Sequence, residues 1–289
     1  MMTGAAWLRR RAASTIDGSA VGPPPCREDR EDRTARAERD SLVRIRRRAS
    51  VALHREGINM TSESTVLIVG ASRGLGLALA GEYCRLGWRV IATVRGESAE
   101  LAALAARHPG RLEIETGVEI ADPAGLRALH DRLAGRTLDL LFVNAGIARS
   151  IELTPATAPE HDFLEMMRVN AFSPVRLVEM FEDRVAADGT IAIMSSELAS
   201  IAGNEGAWDL YASSKAALNM LVKCHLARRP DNRRAVLLVA PGWVRTEMGG
   251  SEASLSIEES IPRVVEMVAR QQGRAGLRFV DRFGATLPW

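Results

Sequence analysis

The chain has 289 residues, 46% of them hydrophobic, which is enough to bury a substantial core. Its 38 basic and 36 acidic side chains leave a formal charge of +2, a balance that argues against nucleic acid as the main partner. No apolar run reaches the roughly 18 residues of a membrane span, and Cys26, Cys84, Cys224 and five histidines show no ligand spacing, so a cytoplasmic protein without metal or membrane attachment is expected.

Residues 1–60 contain thirteen Arg and eight Asp or Glu, with "GPPPCREDREDRTARAERD" and no sustained apolar periodicity, so they are expected to be a disordered extension. The early "WLRRRAAST" is followed by no apolar stretch of the kind a signal peptide needs. Met60, a few residues before the first strand, is a candidate physiological start, which would leave 1–59 outside the native protein.

From Val66 onward, short β-branched runs alternate with longer amphipathic stretches. "TVLIVG" predicts a first strand, "LGLALAGEYCRLG" a helix ended by Gly87, "WRVIATV" a second strand and "AELAALAARH" a helix. "RLEIETGVEI" holds a third strand, "PAGLRALHDRLAG" a helix and "LDLLFVNAG" a fourth strand. A helical region over 160–184 leads to "GTIAIMSS", then to a helix carrying Tyr211, then to "RAVLLVAPG". After a short polar loop over 249–260, "IPRVVEMVARQ" predicts a last helix. Six strands with helices between them predict an α/β fold, a Rossmann-type doubly wound parallel sheet, with residues 61–289 as one domain.

Gly70, Gly74 and Gly76 in "GASRGLG" lie where the first strand turns into the first helix. Such a turn lets the backbone approach a pyrophosphate closely, and the helix N-terminus offers it unpaired N–H groups. The second strand ends in "VIATVRG", so Arg95 stands where an acid commonly binds the adenosine ribose. With Arg73 it offers charge-assisted bonds to a 2′-phosphate, which favours NADP(H) over NAD(H).

Lys215 and Lys223 are the only lysines, against thirty-six arginines. Lys215 follows Tyr211 by four residues in "YASSK", so on a helix the two share a face. A compact ammonium beside a phenol favours the phenolate and brings tyrosine within reach of general acid or base work. Such a tyrosine can protonate a carbonyl oxygen as hydride arrives from a nicotinamide.

"GASRGLG", "NAG", "VNAFSP", "IAIMSS", "YASSK" and "PGWVRT" occur in the order and approximate spacing of the short-chain dehydrogenase/reductase family, which residues 64–289 resemble. Within it, "SSELASIAGN", "YASSKAALNML", "PGWVRTEMGG" and the closing "FGATLPW" most resemble the C-factor-like signalling proteins and sniffer-type carbonyl reductases. The resemblance implies Tyr211 as acid/base, Lys215 lowering its pKa and binding the nicotinamide ribose, Ser196 on the substrate oxygen and Asn170 ordering a water. Ser195 is the competing serine, and Tyr211 follows Ser196 by fifteen residues, a longer gap that fits the proposed branch. The resemblance also implies Ser72 and Leu75 in the glycine-rich turn, Asn144, Ala145 and Gly146 along the adenosine, and Pro241, Gly242, Val244 and Thr246 at the nicotinamide.

Two departures stand out. Val69 replaces the usual Thr, so a side-chain hydrogen bond within the turn is expected to be missing. Glu119 and Ile120 replace the usual Asp-Val pair, with Glu119 a candidate for the adenine amino group. Trp208, Trp243 and Met248 are candidates for the substrate wall, and the short 249–260 loop suggests an open cleft for small or varied carbonyl compounds. The family further implies a homodimer or homotetramer. A nucleotide-binding signalling protein with incidental turnover is the alternative function. A sugar-nucleotide epimerase also uses YxxxK, but the GxxxGxG pattern and the short chain after "PGWVRT" disfavour it.

Overall fold

The computed structural model describes residues 64–289; the expected extension and the candidate start at Met60 lie outside the described residues. Seven parallel strands form one sheet: β1 (Thr65–Val69), β2 (Arg89–Thr93), β3 (Leu112–Glu115), β4 (Leu138–Val143), β5 (Val185–Met194), β6 (Ala235–Ala240) and β7 (Gly276–Asp281). Their order is β3-β2-β1-β4-β5-β6-β7, so the winding direction reverses between β1 and β4. In a doubly wound sheet that reversal opens a crevice at the carboxyl ends of the strands, where ligands bind.

The central strands β1, β4 and β6 are almost fully buried, as a sheet covered on both faces requires, while the edge strands β3 and β7 are more open, and alternate side chains feed two cores. Leu67, Val69, Leu141 and Ile193 face α3 (Pro123–Arg132), α5 (Ser173–Phe181) and α6 (Asp209–Ala227). Val66, Ile68, Phe142 and Val239 face α1 (Gly74–Arg85), α2 (Ala99–Arg107) and α7 (Ile257–Gln271).

Three elements differ from the sequence expectation. β7 was not among the six expected strands: in "GLRFVD" only Phe279 and Val280 are buried, so an edge strand with Arg278 in its middle lacks a long apolar run. α7 starts at Ile257, ahead of "IPRVVEMVARQ", because Ser256 and Glu259 form a reciprocal capping box. The 160–184 region is three pieces: α4 (Glu160–Met166), a π-helical turn (Met167–Phe172) and α5, before a short 3-10 turn at Glu182–Arg184. The π turn carries Asn170 into the interior, and such turns are frequent at functional sites.

Candidate active site

The glycine-rich turn is held by its neighbours. Gly70 donates its N–H to Thr93 Oγ1 (3.1 Å), and its carbonyl accepts from Asn144 Nδ2 (2.7 Å). Val69 itself offers no side-chain hydrogen bond, and the hydroxyl of Thr93 on the adjacent strand holds the turn at Gly70 N–H. A Cβ on Gly70 would lie 2.8 Å from Ala145 Cα, and one on Gly76 would lie 2.6 Å from Asn144 Nδ2, so only glycine lets this turn close on the β4 end. Asn144 and Ala145 both donate backbone N–H groups to Val69 O (3.0 and 2.9 Å).

α1 begins after Arg73 with no side-chain cap and no acid in its first turn. Its first N–H groups and dipole therefore suit an anion, and the backbone cradle around Gly70 and Gly76 fits the pyrophosphate of a dinucleotide. Ser72 accepts from Ser98 Oγ through its carbonyl (2.7 Å), and Leu75 packs partly buried against the second core.

On the adenosine side, Arg95 is exposed and lies 3.5 Å from Glu119, while Arg73 pairs with Glu247 from the segment after β6. Glu119 also accepts from Ala121 N (3.2 Å), so its carboxylate is turned toward Arg95 and its own loop. The Ile120 side chain is in the first core, which leaves only its backbone for a nucleotide.

Tyr211 lies in the first turn of α6 and is 8% exposed. Burial pushes its hydroxyl pKa up to about 12, opposed by a hydrogen bond with Ser196. Lys215, one turn on, is 3% exposed; its Nζ donates to Met194 O (2.9 Å) and lies 5.8 Å from the Tyr211 ring centre. Burial drives that ammonium down to about 8. The expectation that Lys215 lowers the tyrosine pKa is not realised in this structure: desolvation dominates at Tyr211, and the ammonium is bonded to a backbone carbonyl.

The two serines separate clearly. Ser196 Oγ accepts from Leu198 N (3.2 Å) at the head of the 3-10 turn Glu197–Ala199 and faces Tyr211. Ser195 is buried and donates instead to Asn219 Oδ1 on α6 (2.8 Å). Asn170, fully buried, clasps Ile147 through its N–H and C=O (both 2.8 Å) and donates to Ser214 Oγ (3.0 Å), which itself donates to Tyr211 O (2.7 Å). A Cβ on Gly146 would stand 3.3 Å from Asn170 Oδ1 and 3.4 Å from Lys215 Nζ, so glycine keeps the space between them open. Thr93, Ile147 and Ser214 were missed in the sequence, because their roles are contacts across the fold; Ser214 lies within "YASSK", but its bond to Asn170 is visible only once the chain is folded.

On the nicotinamide side, Pro241 O accepts from the buried Ser260 Oγ (2.7 Å), and Gly242 has φ +85°. Val244 is buried and bridges to Leu255; Thr246 Oγ1 accepts from Gly249 N (3.0 Å). Trp243 Nε1 donates to Gly249 O (2.9 Å), Leu255 N to Trp243 O (3.0 Å) and Arg245 N to Leu255 O (2.8 Å). The short loop is therefore tied down along much of its length. Trp208 meets the Tyr211 ring edge-on at 5.6 Å, and Met248 is 38% exposed. Asn170, Ser196, Tyr211 and Lys215 are thus brought to one place at the ends of β4 and β5, between the glycine-rich turn and the 241–249 segment.

The family model for short chain dehydrogenases matches residues 64–255. The C-signal of Myxococcus xanthus is 30% identical over 168 residues, covering 57% of this chain and 100% of that protein. A short-chain dehydrogenase/reductase of Burkholderia multivorans, solved with bound NADP, is 48% identical with a TM-score of 0.76, over 78% of this chain and 99% of that one. The carbonyl reductase Sniffer of D. melanogaster is 28% identical with a TM-score of 0.71, over 78% of this chain and 100% of that one. With a dinucleotide cradle at the switch point and a Ser-Tyr-Lys-Asn cluster beside it, in which Tyr211, Lys215 and Asn170 are buried and Ser196 is half-buried, the chain belongs to the short-chain dehydrogenase/reductase family, a family of oxidoreductases that bind a nicotinamide cofactor.

Proposed function

We propose that this protein is an NADP(H)-dependent oxidoreductase that interconverts a carbonyl compound and an alcohol. The observation that carries the reading is Tyr211: buried, with Ser196 acting on its hydroxyl to lower its pKa against the burial, and one helical turn from a buried ammonium. A nicotinamide in the crevice supplies or accepts the hydride. Ser196 holds the substrate oxygen, and Tyr211 gives that oxygen a proton in reduction or takes one in oxidation. Lys215 offsets the charge left on the phenolate and grips the nicotinamide ribose, and Asn170 fixes the backbone at Ile147 and orders a water in the proton relay.

Arg73 and Arg95 support the NADP(H) preference. They stand at the turn and beyond β2, where a 2′-phosphate can displace Glu247 and Glu119 from them. The free thiols Cys84 and Cys224 and the lack, among the described residues, of any helix long and apolar enough to cross a membrane support a cytoplasmic protein. Likeness to the C-signal supports a second reading, a nucleotide-binding signalling protein with incidental turnover.

The test follows NADPH and NADH oxidation by residues 60–289 against a panel of aldehydes and ketones, with Tyr211→Phe as control. NADPH-dependent turnover that drops at least about a thousandfold in the variant, with nucleotide binding retained, is the expected result. Tight NADPH binding without turnover on any compound would favour the signalling reading.

A further inference from the structure

We propose that the segment 281–289, with Trp289 as its anchor and Lys223 as its clamp, is a positioning brace for the loop between Ser196 and Tyr211. The inference rests on the carbonyl-reductase reading of that site. Its sequence elements are Lys223, the second of the two lysines, and the closing "FGATLPW".

The loop over 197–208 connects the two groups that meet the substrate oxygen, and it is internally knitted. Asn204 Nδ2 donates to Leu198 O (3.1 Å) at the Ser196 end, while Asn204 Oδ1 accepts from Gly206 N (2.8 Å) and Ala207 N (3.2 Å) just before Trp208. Trp208 then enters α6 in the left-handed region, φ 55°, a conformation costly for a bulky residue and kept only where its surroundings impose it. Movement of the loop's apex therefore reaches Ser196 and Tyr211 together.

That apex is held from outside by the segment after β7. Ala202 donates its N–H to Trp289 O (3.0 Å), and a Cβ on Gly203 would stand 3.9 Å from Pro288 Cγ. The segment is itself fastened. Asp281 Oδ1 accepts from Phe283 N and Ala285 N (both 2.9 Å), and Leu287 N returns to Phe279 O on β7 (2.9 Å). The Trp289 ring lies 5.7 Å from Phe279 on one side, and Lys223 Nζ lies 5.6 Å from its centre. Lys223 is two turns beyond Lys215 on the same helix, so α6 bears the acid/base pair and also grips the brace. An ammonium over an indole is among the better cation–π pairs, which gives this second lysine a role distinct from general surface charge.

Trp289 and Lys223 are positioning residues, so the test must move a quantity that packing alone would not. In Trp289→Ala, backbone amides of 202–204 are expected to exchange with deuterium faster by about tenfold or more, with β1 and α1 amides unchanged. The KM for the carbonyl compound should rise about tenfold, with NADPH affinity unchanged, because the residues proposed to hold the nucleotide, the glycine-rich turn and 241–246, lie outside this loop. Trp289→Phe and Lys223→Arg, which keep an aromatic face and a cation, should recover most of both effects, whereas Lys223→Met should show them in part. Exchange and KM both at wild-type values in Trp289→Ala would overturn the brace. Equal loss of nucleotide affinity, thermal midpoint and activity would also overturn it, as a general packing role. If the wild type reduced no carbonyl compound yet the 202–204 amides still opened in Trp289→Ala, the brace would stand and the reductase reading would fall.

Discussion

Tyr211 and Lys215 are displaced by the same burial in opposite directions, and the pH dependence follows from that. Lys215 is an ammonium below about 8 and neutral above it, while Tyr211 keeps its proton until about 12. For carbonyl reduction, kcat/KM should therefore fall as pH rises through about 8, well before the tyrosine titrates, and a pH–rate profile checks this. Stability carries the same signature. Between about 8 and the ordinary lysine value of 10.5 the unfolded chain binds the proton more tightly, so stability rises with pH in that window, by roughly 3 kcal/mol in all. The rise should be absent from the urea-unfolding series of Lys215→Met. The adjacent serines divide function from structure in a way their shared chemistry does not suggest. Ser196→Ala should cut kcat/KM by roughly a hundredfold with the thermal midpoint nearly unchanged. Ser195→Ala should leave turnover intact and cost about 1 kcal/mol, because it removes a buried bond to Asn219.

At the scale of elements, the β1 turn and the N-terminus of α1 form a unit with the end of β4, and the glycines are there because the backbones touch. Gly76→Ala would place a methyl against Gly70 O, which is backbone, and against Asn144 Nδ2, a side-chain end held by its own bond to Gly70 O. The helix start must then shift away from β4, and NADPH affinity should fall at least about tenfold by fluorescence titration, with the fold retained by circular dichroism. The π turn has the complementary role. By inserting one wide turn between α4 and α5, it directs Asn170 inward to hold Ile147 and Ser214 together, a placement that an uninterrupted helix over 160–184 would not produce.

At the scale of the whole molecule, α4, the π turn and α6 leave Leu164 (57% exposed), Phe172 (57%) and Met220 (59%) on the surface, and Leu221 (37%) adjoins them on α6. Contiguous exposed apolar surface marks interaction sites, and α4 and the π turn both pack against α6. The proposed partner is a second copy, which agrees with the homodimer or homotetramer implied by the family. Met220→Glu should move the species seen by sedimentation equilibrium toward the monomer, and wild-type protein that is already monomeric at micromolar concentration would refute the proposal.

What the sequence by itself determined was the fold class and the family, and it named the candidate reacting groups. The alternation of apolar strands with amphipathic helices is a period in the order of the residues, and Gly70, Gly76, Tyr211 and Lys215 sit within short motifs whose spacing points to the chemistry. The preference for Ser196 over Ser195 rests on the resemblance to the family's pattern. Only the tertiary structure decided that the Thr93 hydroxyl holds the turn at Gly70, that Glu119 and Glu247 stand on the two arginines, and that burial rather than Lys215 governs the tyrosine. It also decided that β7 and the segment behind it reach back to Ala202. These are contacts between residues far apart in the chain, and the dielectric and hydrogen-bond partners they create exist only once the sheet and its two helical layers have closed.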